Sequence, residues 1–539
     1  MKIMKVLVVA GMVWVMELWL PNGVLAQQSV VQLFKSDRAL ANKHYEKGEI
    51  VPALKLYERS KRTGNTYLMM GRCYFMLKEY QPCADAYARA YSRGDQFERQ
   101  DYLNLAEAQL SLKNYEQAEL NYQKILDQEP ENEWIQKKLW RISNMHYLYE
   151  DSIHFATRLL SINTSAAEWN AVSFDRGIIF LSNRTTNKPV KNIDASTQQD
   201  FFRLYQAMEK PDSLQEGWGK LFSNPAVYTN AVSVNGNMGS FSLYDNRKKM
   251  VYTASQVVKS SQGIRMLGLY FAELRDGKWH ATGSFPYNEA SFSCMDPFID
   301  DTNKTLYFSS DKTGGKGGMD LYRSEWVEGK WTTPVNLGDA INTPMNEVSP
   351  YVHNGMLYFS SNGHAGLGGL DIFKTAFSDS FYDEPVNLGH PLNSPLDDFA
   401  FTFSDPSGLR GFLSSNRKAG RLDDDVYEFD MDMQTYPYMV AGVLKQMDHT
   451  WSDSSSMRIM KNARIRLVDT VRKAIVQEIT SDADGKFSLS IPYFSKYGIY
   501  VMDEDGVENI AVFEIPRQRK ETTLHEVVII KDIFQTLKN

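Results

Sequence analysis

Between Asp37 and Pro130 the chain is rich in Ala, Leu, Tyr, Lys and Glu, and its apolar positions recur at helical spacing. Aligning Ile50, Tyr80 and Tyr115 places Ala53, Cys83 and Ala118 three residues later and Tyr57, Tyr87 and Tyr122 seven residues later. Ala41, Gly71 and Ala106 stand nine residues before the same anchors. Small residues at these places let paired helices approach closely, and the aromatic residue one turn on fills the space between pairs. Anchors spaced by 30 and 35 residues predict stacked helical pairs, capped by helices through about Tyr149.

From about His154 to Asp432 the period drops to two. The pairs Leu204-Tyr205, Leu269-Tyr270, Leu321-Tyr322, Ile372-Phe373 and Val426-Tyr427 step by 65, 52, 51 and 54 residues. Strands ending in Ser-Asn or Ser-Asp precede most of them, and Trp218, Trp279, Trp331 or Tyr382 follows the first four. One phrase is nearly duplicated: "TLYFSSDKTGGKGGMDLY" from Thr305 and "MLYFSSNGHAGLGGLDIF" from Met356. Each unit is predicted to be an antiparallel sheet of about four strands, and sheets repeating at this period pack radially as the blades of a propeller. Five are expected. The last lacks a tryptophan strand, and residues 154–162 are expected to supply its missing outer strand and close the ring. After residue 435, short alternating strands and the turn "DADGK" predict a small β-sandwich.

The fold class expected is therefore multidomain, α plus all-β. A secretory signal occupies residues 1–26: Lys2 and Lys5, an apolar run from Val6 to Leu20, and small residues before a cut after Ala26. The helical array covers 27–150, the five-bladed ring 151–435, the sandwich 436–530 and a tail 531–539. Removing the signal takes the formal charge from −7 to −8, and no basic stripe is visible, which argues against a nucleic-acid partner. No other stretch is long and apolar enough to span a bilayer, so the mature chain is expected to be soluble. Three cysteines cannot build a disulfide framework; Cys73 and Cys83 could pair, or each could be a buried thiol.

Candidate chemistry is sparse. No nucleophile elbow, His-Glu-x-x-His or Cys-x-x-Cys motif occurs, and the Gly-rich stretches lead from strand to strand where a phosphate loop would lead into a helix. Asp320, Asp371 and Asp425 recur just before three apolar-aromatic pairs, with Asp423 and Asp424 beside the last. Oxygen ligands could hold Ca²⁺, but these lie in different units and read as turn residues. Ser309, Ser310, Ser360, Ser361, Ser414 and Ser415 read as strand-end hydroxyls. No catalytic, cofactor or metal site is assigned, and the chain is not expected to be an enzyme.

The helical region resembles three tetratricopeptide (TPR) motifs, with Cys83 standing where alanine is usual. "LYFSSD…GGMDLY" and "NLGDAINTPMNE" resemble the PD40 (WD40-like) propellers of Bacteroidota envelope proteins, and "TSDADGKFSLSIP" resembles a carboxypeptidase-regulatory-like domain. That order is similar to PorE-type subunits of type IX secretion and gliding machinery and their OmpA-family relatives. The resemblance implies a periplasmic scaffold, peripheral to the outer membrane, that binds a PorP/SprF-like barrel or other envelope subunits. No OmpA-like domain follows the sandwich, so direct peptidoglycan binding is not expected. The alternative is a periplasmic propeller whose channel binds a glycan, peptide or cation.

Overall fold

The computed structural model describes residues 36–531 except 61–64, 151–154, 186–192, 211–220, 229–231, 233–236, 262, 379–380, 405–407, 419–422, 432–437, 448–456, 471–473, 492–495, 503–507 and 515–524. The expected signal segment, Trp218 and residues 532–539 lie outside the described residues. Among the described residues the molecule is a mixed helix and sheet structure: eight helices are followed by seven sheets, antiparallel except for one strand pair.

Helices α1 (Asp37–Glu46), α2 (Ile50–Arg59), α3 (Thr66–Met76), α4 (Tyr80–Ser92), α5 (Arg99–Ser111) and α6 (Tyr115–Leu126) form three consecutive antiparallel pairs. α7 (Glu133–Ser143) and α8 (Tyr147–Glu150) follow. Ser36 caps α1 by accepting from the Ala39 N–H, and Glu98 with Asp101 forms a reciprocal capping box on α5. The small residues fall where the pairs meet: Ala41, Ala53, Cys83, Ala106 and Ala118 are wholly buried, and a Cβ on Gly71 would lie 2.9 Å from the Tyr87 ring. Tyr57, Tyr87 and Tyr122 are buried too, each hydroxyl donating to a neighbouring helix at Asn42, Asp101 or Glu107. Cys73 and Cys83 are both free, buried thiols.

Five antiparallel sheets come next. Their first strands are Glu168–Phe174, Met238–Tyr244, Cys294–Asp300, Glu347–His353 and Asp398–Phe403. These neighbour one another in a closed cycle, first against second and fifth against first, so they form the innermost layer of a ring. Five hydrophobic clusters fill the five gaps between neighbouring sheets, including the gap between the last and the first, where Phe412 and Val426 meet Ile178, Phe180 and Tyr205. Both faces of each sheet are thus covered. This is why the second strands, such as Thr305–Ser310 and Arg410–Ser415, are buried along nearly their whole length.

The ring is closed by the segment anticipated from the sequence: Phe155–Leu159 pairs antiparallel with Asp425–Met431 as the outer strand of the fifth sheet. A recurrent asparagine clamps four joints among the described residues, Asn288 holding Leu269 at one of them. Asn342 accepts from the Leu321 N–H at 2.8 Å and donates to its carbonyl at 3.0 Å; Asn393 holds Ile372, and Asn163 holds Val426, in the same two-point way. Where the next inner strand opens with an acid, as at Glu168, Glu347 and Asp398, that acid and the hydroxyl after the asparagine complete the joint. Glu347 accepts from the Thr343 N–H, the Thr343 hydroxyl and Ser361; Glu168 does so from Thr164 and Ser182.

The C-terminal strands make two further four-stranded sheets that share one core built from Val440, Leu444, Ile465, Leu467, Leu489 and Ile499 among others.

Candidate functional site

Every inner strand of the ring carries a β-bulge near its start. The bulge residues occupy equivalent places: Asn170, Ser240, Asp296, Ser349 and Ala400. All but Ser240 have φ near +50°, so each strand is bent at the ring axis. A hydrogen-bonded belt results. The Ser240 hydroxyl donates to Asp296 Oδ1 at 2.6 Å, and the Asn170 carboxamide oxygen accepts from the Phe241 N–H at 2.7 Å. The Ser349 N–H reaches Asp296 Oδ2 at 3.3 Å.

Above this belt, the C-terminal halves of the inner strands enclose a cavity of about 310 Å³, lined by residues from all five sheets. Burial pushes the Asp296 carboxyl above its usual range, while its bonds to Ser240 and Ser349 oppose the shift. Two other acids line the cavity but are committed to turns: Asp300 accepts from the Thr302 N–H and the Asn303 amide, and Asp301 from the Asp245 N–H. With Arg247 at the wall, the cavity can hydrogen-bond a small polar ligand at the lower end of ordinary pocket size.

The opposite rim of the ring is occupied by the helices. Met345 and Leu367, carried on loops of the third and fourth sheets, are buried in one cluster with Leu103, Leu110, Ile135 and Leu148. Trp134 Nε1 donates to the Gly363 carbonyl at 2.6 Å, and the His390 N–H to the Leu148 carbonyl at 2.7 Å. Lys138, almost fully buried, bridges Glu107 at 3.0 Å and the Asn362 carbonyl at 2.7 Å; Lys78 pairs with Asp397 at 3.3 Å. A buried charge is costly unless it is paired, and Lys138 meets both a carboxylate and a carbonyl at this contact.

The two copies of the repeated phrase differ where this contact is made. Leu367 in the second copy is buried under the helices; its equivalent in the first, Lys316, reaches outward to Asp339.

The acids and serines considered from sequence are distributed through separate sheets. Asp320 accepts the Lys316 and Gly317 N–H groups of its own hairpin, and Asp371 accepts from the Gly368 N–H. Asp425 lies 3.7 Å from Lys418, and the neighbouring Asp424 carboxyl is pushed up to about 8 by desolvation and the charge of Asp397. Ser361 donates to Glu347, Ser310 to the Ser293 carbonyl, while Ser414 and Ser415 accept from the Asn170 N–H and from Arg417. The hydroxyls of Ser309 and Ser360 have no hydrogen-bond partner among the described residues. No group of three or more His, Cys, Asp or Glu is placed to hold a metal ion among the described residues. Asp296 and Ser240 were not singled out from the sequence; the signal for them was alignment of the five inner strands, which brings five short residues to one inward place.

No family model and no curated protein sequence matches the chain. Several solved structures do. An α-L-arabinofuranosidase from Lactobacillus brevis is 14% identical with a TM-score of 0.31, over 50% of this chain and 91% of its own. RS223 β-xylosidase is 10% identical with a TM-score of 0.33, over 51% and 94%. An endo-arabinase from Bacteroides thetaiotaomicron is 14% identical with a TM-score of 0.31, over 51% and 97%. The expectation that the chain is not an enzyme is corrected on this finding, because glycosidases are among the structures it resembles. Carboxylates contributed by separate sheets leave no contiguous motif, so missing motifs were no ground for exclusion. At these identities and TM-scores, the likeness carries no argument for a particular activity here.

Proposed function

We propose that this chain is a periplasmic scaffold of a bacterial cell envelope, in which a TPR array, a five-bladed propeller and a carboxypeptidase-regulatory-like sandwich dock to an outer-membrane assembly such as a PorP/SprF-like barrel. The observation that carries this reading is the fusion of helices and ring through one hydrophobic core at Met345 and Leu367. Two repeat modules locked in one orientation present broad, rigid surfaces, and rigid surfaces bind with little ordering cost. In-cell crosslinking of the tagged protein, followed by purification from the envelope and mass spectrometry, tests it. Recovery of a barrel or other secretion-machinery subunits is expected; recovery of the protein alone would remove the reading.

A second reading is supported by the axial cavity: a small polar ligand, such as a short glycan, held against Asp296. Thermal stabilisation by an oligosaccharide panel, lost in Asp296→Ala, is its test. Equal stabilisation of both proteins would discard it.

A further inference from the structure

The outer edges of the five sheets are not alike. Three end in two-residue strands, such as Ala226–Val227 in the first sheet and Phe381–Tyr382 in the fourth, and the fifth ends in the closing strand Phe155–Leu159. Short outer strands are an ordinary protection against pairing with another chain. The second sheet lacks this protection. Its outer strand, Lys278–Ser284, is seven residues long and exposed at every position except Trp279, and no strand pairs with its free edge among the described residues.

This edge borders a groove of about 1100 Å³ between the second and third sheets. The far wall is aromatic. Trp331 stacks on Phe271 with ring centroids 5.8 Å apart and planes 9° from parallel, and Trp326 meets Trp331 edge-on at 5.0 Å. Trp326 remains 43% exposed, a large apolar surface left facing solvent. Charge in the groove is unevenly matched. Asp245 pairs with Lys249, Glu273 pairs with Arg275, and Asp301 accepts the Asp245 N–H, whereas no acid lies within ion-pair distance of Lys304 or Lys330 in the groove, or of Lys278 on the edge strand, among the described residues.

We propose that this edge is a strand-addition site for an extended polypeptide segment of a partner, carrying acidic side chains and an aromatic residue. The backbone row of Lys278–Ser284 would pair with the incoming strand, Trp326 and Trp331 would take its aromatic side chain, and the lysines would face its carboxylates. A peptide is favoured over a glycan because a free strand edge offers N–H and C=O groups at strand period, the pattern that another polypeptide backbone matches. The inference rests on the scaffold reading, to which it adds a contact and a partner chemistry.

The probe is a fluorescein-labelled seven-residue peptide alternating valine and glutamate about a central tyrosine, titrated by fluorescence anisotropy against the chain without residues 1–26. Saturable binding that weakens with added salt is expected, with a loss of about tenfold or more in Trp326→Ala. Thr282 is the extra residue at a bulge in the edge strand, outside the ladder with Leu267–Arg275. Thr282→Pro is therefore expected to abolish binding while leaving the thermal midpoint unchanged. A version with lysine in place of glutamate should bind at least about tenfold more weakly. Equal affinity for both peptides, unchanged binding in the two variants, or no binding would each overturn the site. So would displacement of the peptide by an oligosaccharide, which would reassign the groove to glycans. Failure of the peptide with barrel partners still recovered from cells would remove this site alone; binding of the peptide with no partner recovered would remove the scaffold reading instead.

Discussion

Truncating Leu367 to alanine should separate the helical array from the ring without breaking either. The side chain is fully buried, in one cluster with Leu103, Leu110, Ile135, Met145, Leu148 and Met345. Loss of its apolar surface, at about 0.8 kcal/mol per methylene, together with the cavity left between two rigid bodies, gives a cost of about 3 to 4 kcal/mol. That cost falls on the contact, because Leu367 belongs to a hairpin and not to the packed strands of its sheet. Urea unfolding is read by far-ultraviolet circular dichroism for the helices and by tryptophan fluorescence, Trp134 lying at the junction through its bond to Gly363. The unaltered protein should lose both signals together; Leu367→Ala should lose helix signal at lower urea than the ring. Lys316→Ala, at the same place in the first copy, should alter stability by no more than about 0.5 kcal/mol. A loss below about 1 kcal/mol in Leu367→Ala, or coincident transitions, would refute the assignment of the junction to this residue.

Asn342→Ala leaves the Leu321 N–H without its acceptor inside the ring, and a loss of about 1 to 3 kcal/mol in urea unfolding is expected; a neutral result would remove the clamp. Glu347 is pushed up to about 7 by burial, so the folded state holds a proton that the unfolded chain releases near its ordinary value of 4.5. Its stabilisation is complete at acidic pH and declines as pH rises from about 4.5 to about 7, and Glu347→Gln should flatten that slope in denaturation measured across the interval. Burial pushes the Cys73 and Cys294 thiols up to about 12 and Cys83 higher still; native protein should react with a thiol reagent only at the rate of unfolding, and prompt labelling would contradict the packing.

Much of the architecture was legible because repetition marks equivalent places. The small residues aligned on Ile50, Tyr80 and Tyr115 are the buried contacts of the helical pairs, and the segment near residues 154–162 does supply an outer strand to the last sheet. The aspartates at 320 and 371 bond to the hairpins that precede them, a local interaction visible in local sequence. The axial cavity was not legible. Asp296 gains its character from Ser240 on one neighbouring strand and Ser349 on another, positions 56 and 53 residues away that carry no shared motif. The edge groove was hidden for a similar reason: Trp331 looked like one more outer-strand aromatic, and only its stacking across to Phe271 opens a wall toward the second sheet.

Sequence by itself determined what is periodic, the helical pairs and the repeated sheets, both set by short-range geometry and by which faces must be buried. Tertiary structure decided what depends on residues far apart in the chain. It placed the helices on one rim, where Leu367 is buried among them, and it left the other rim open above Asp296. It also left the outer edge of Lys278–Ser284 without a partner strand among the described residues, since strand exposure is a property of neighbours and not of the strand's own residues.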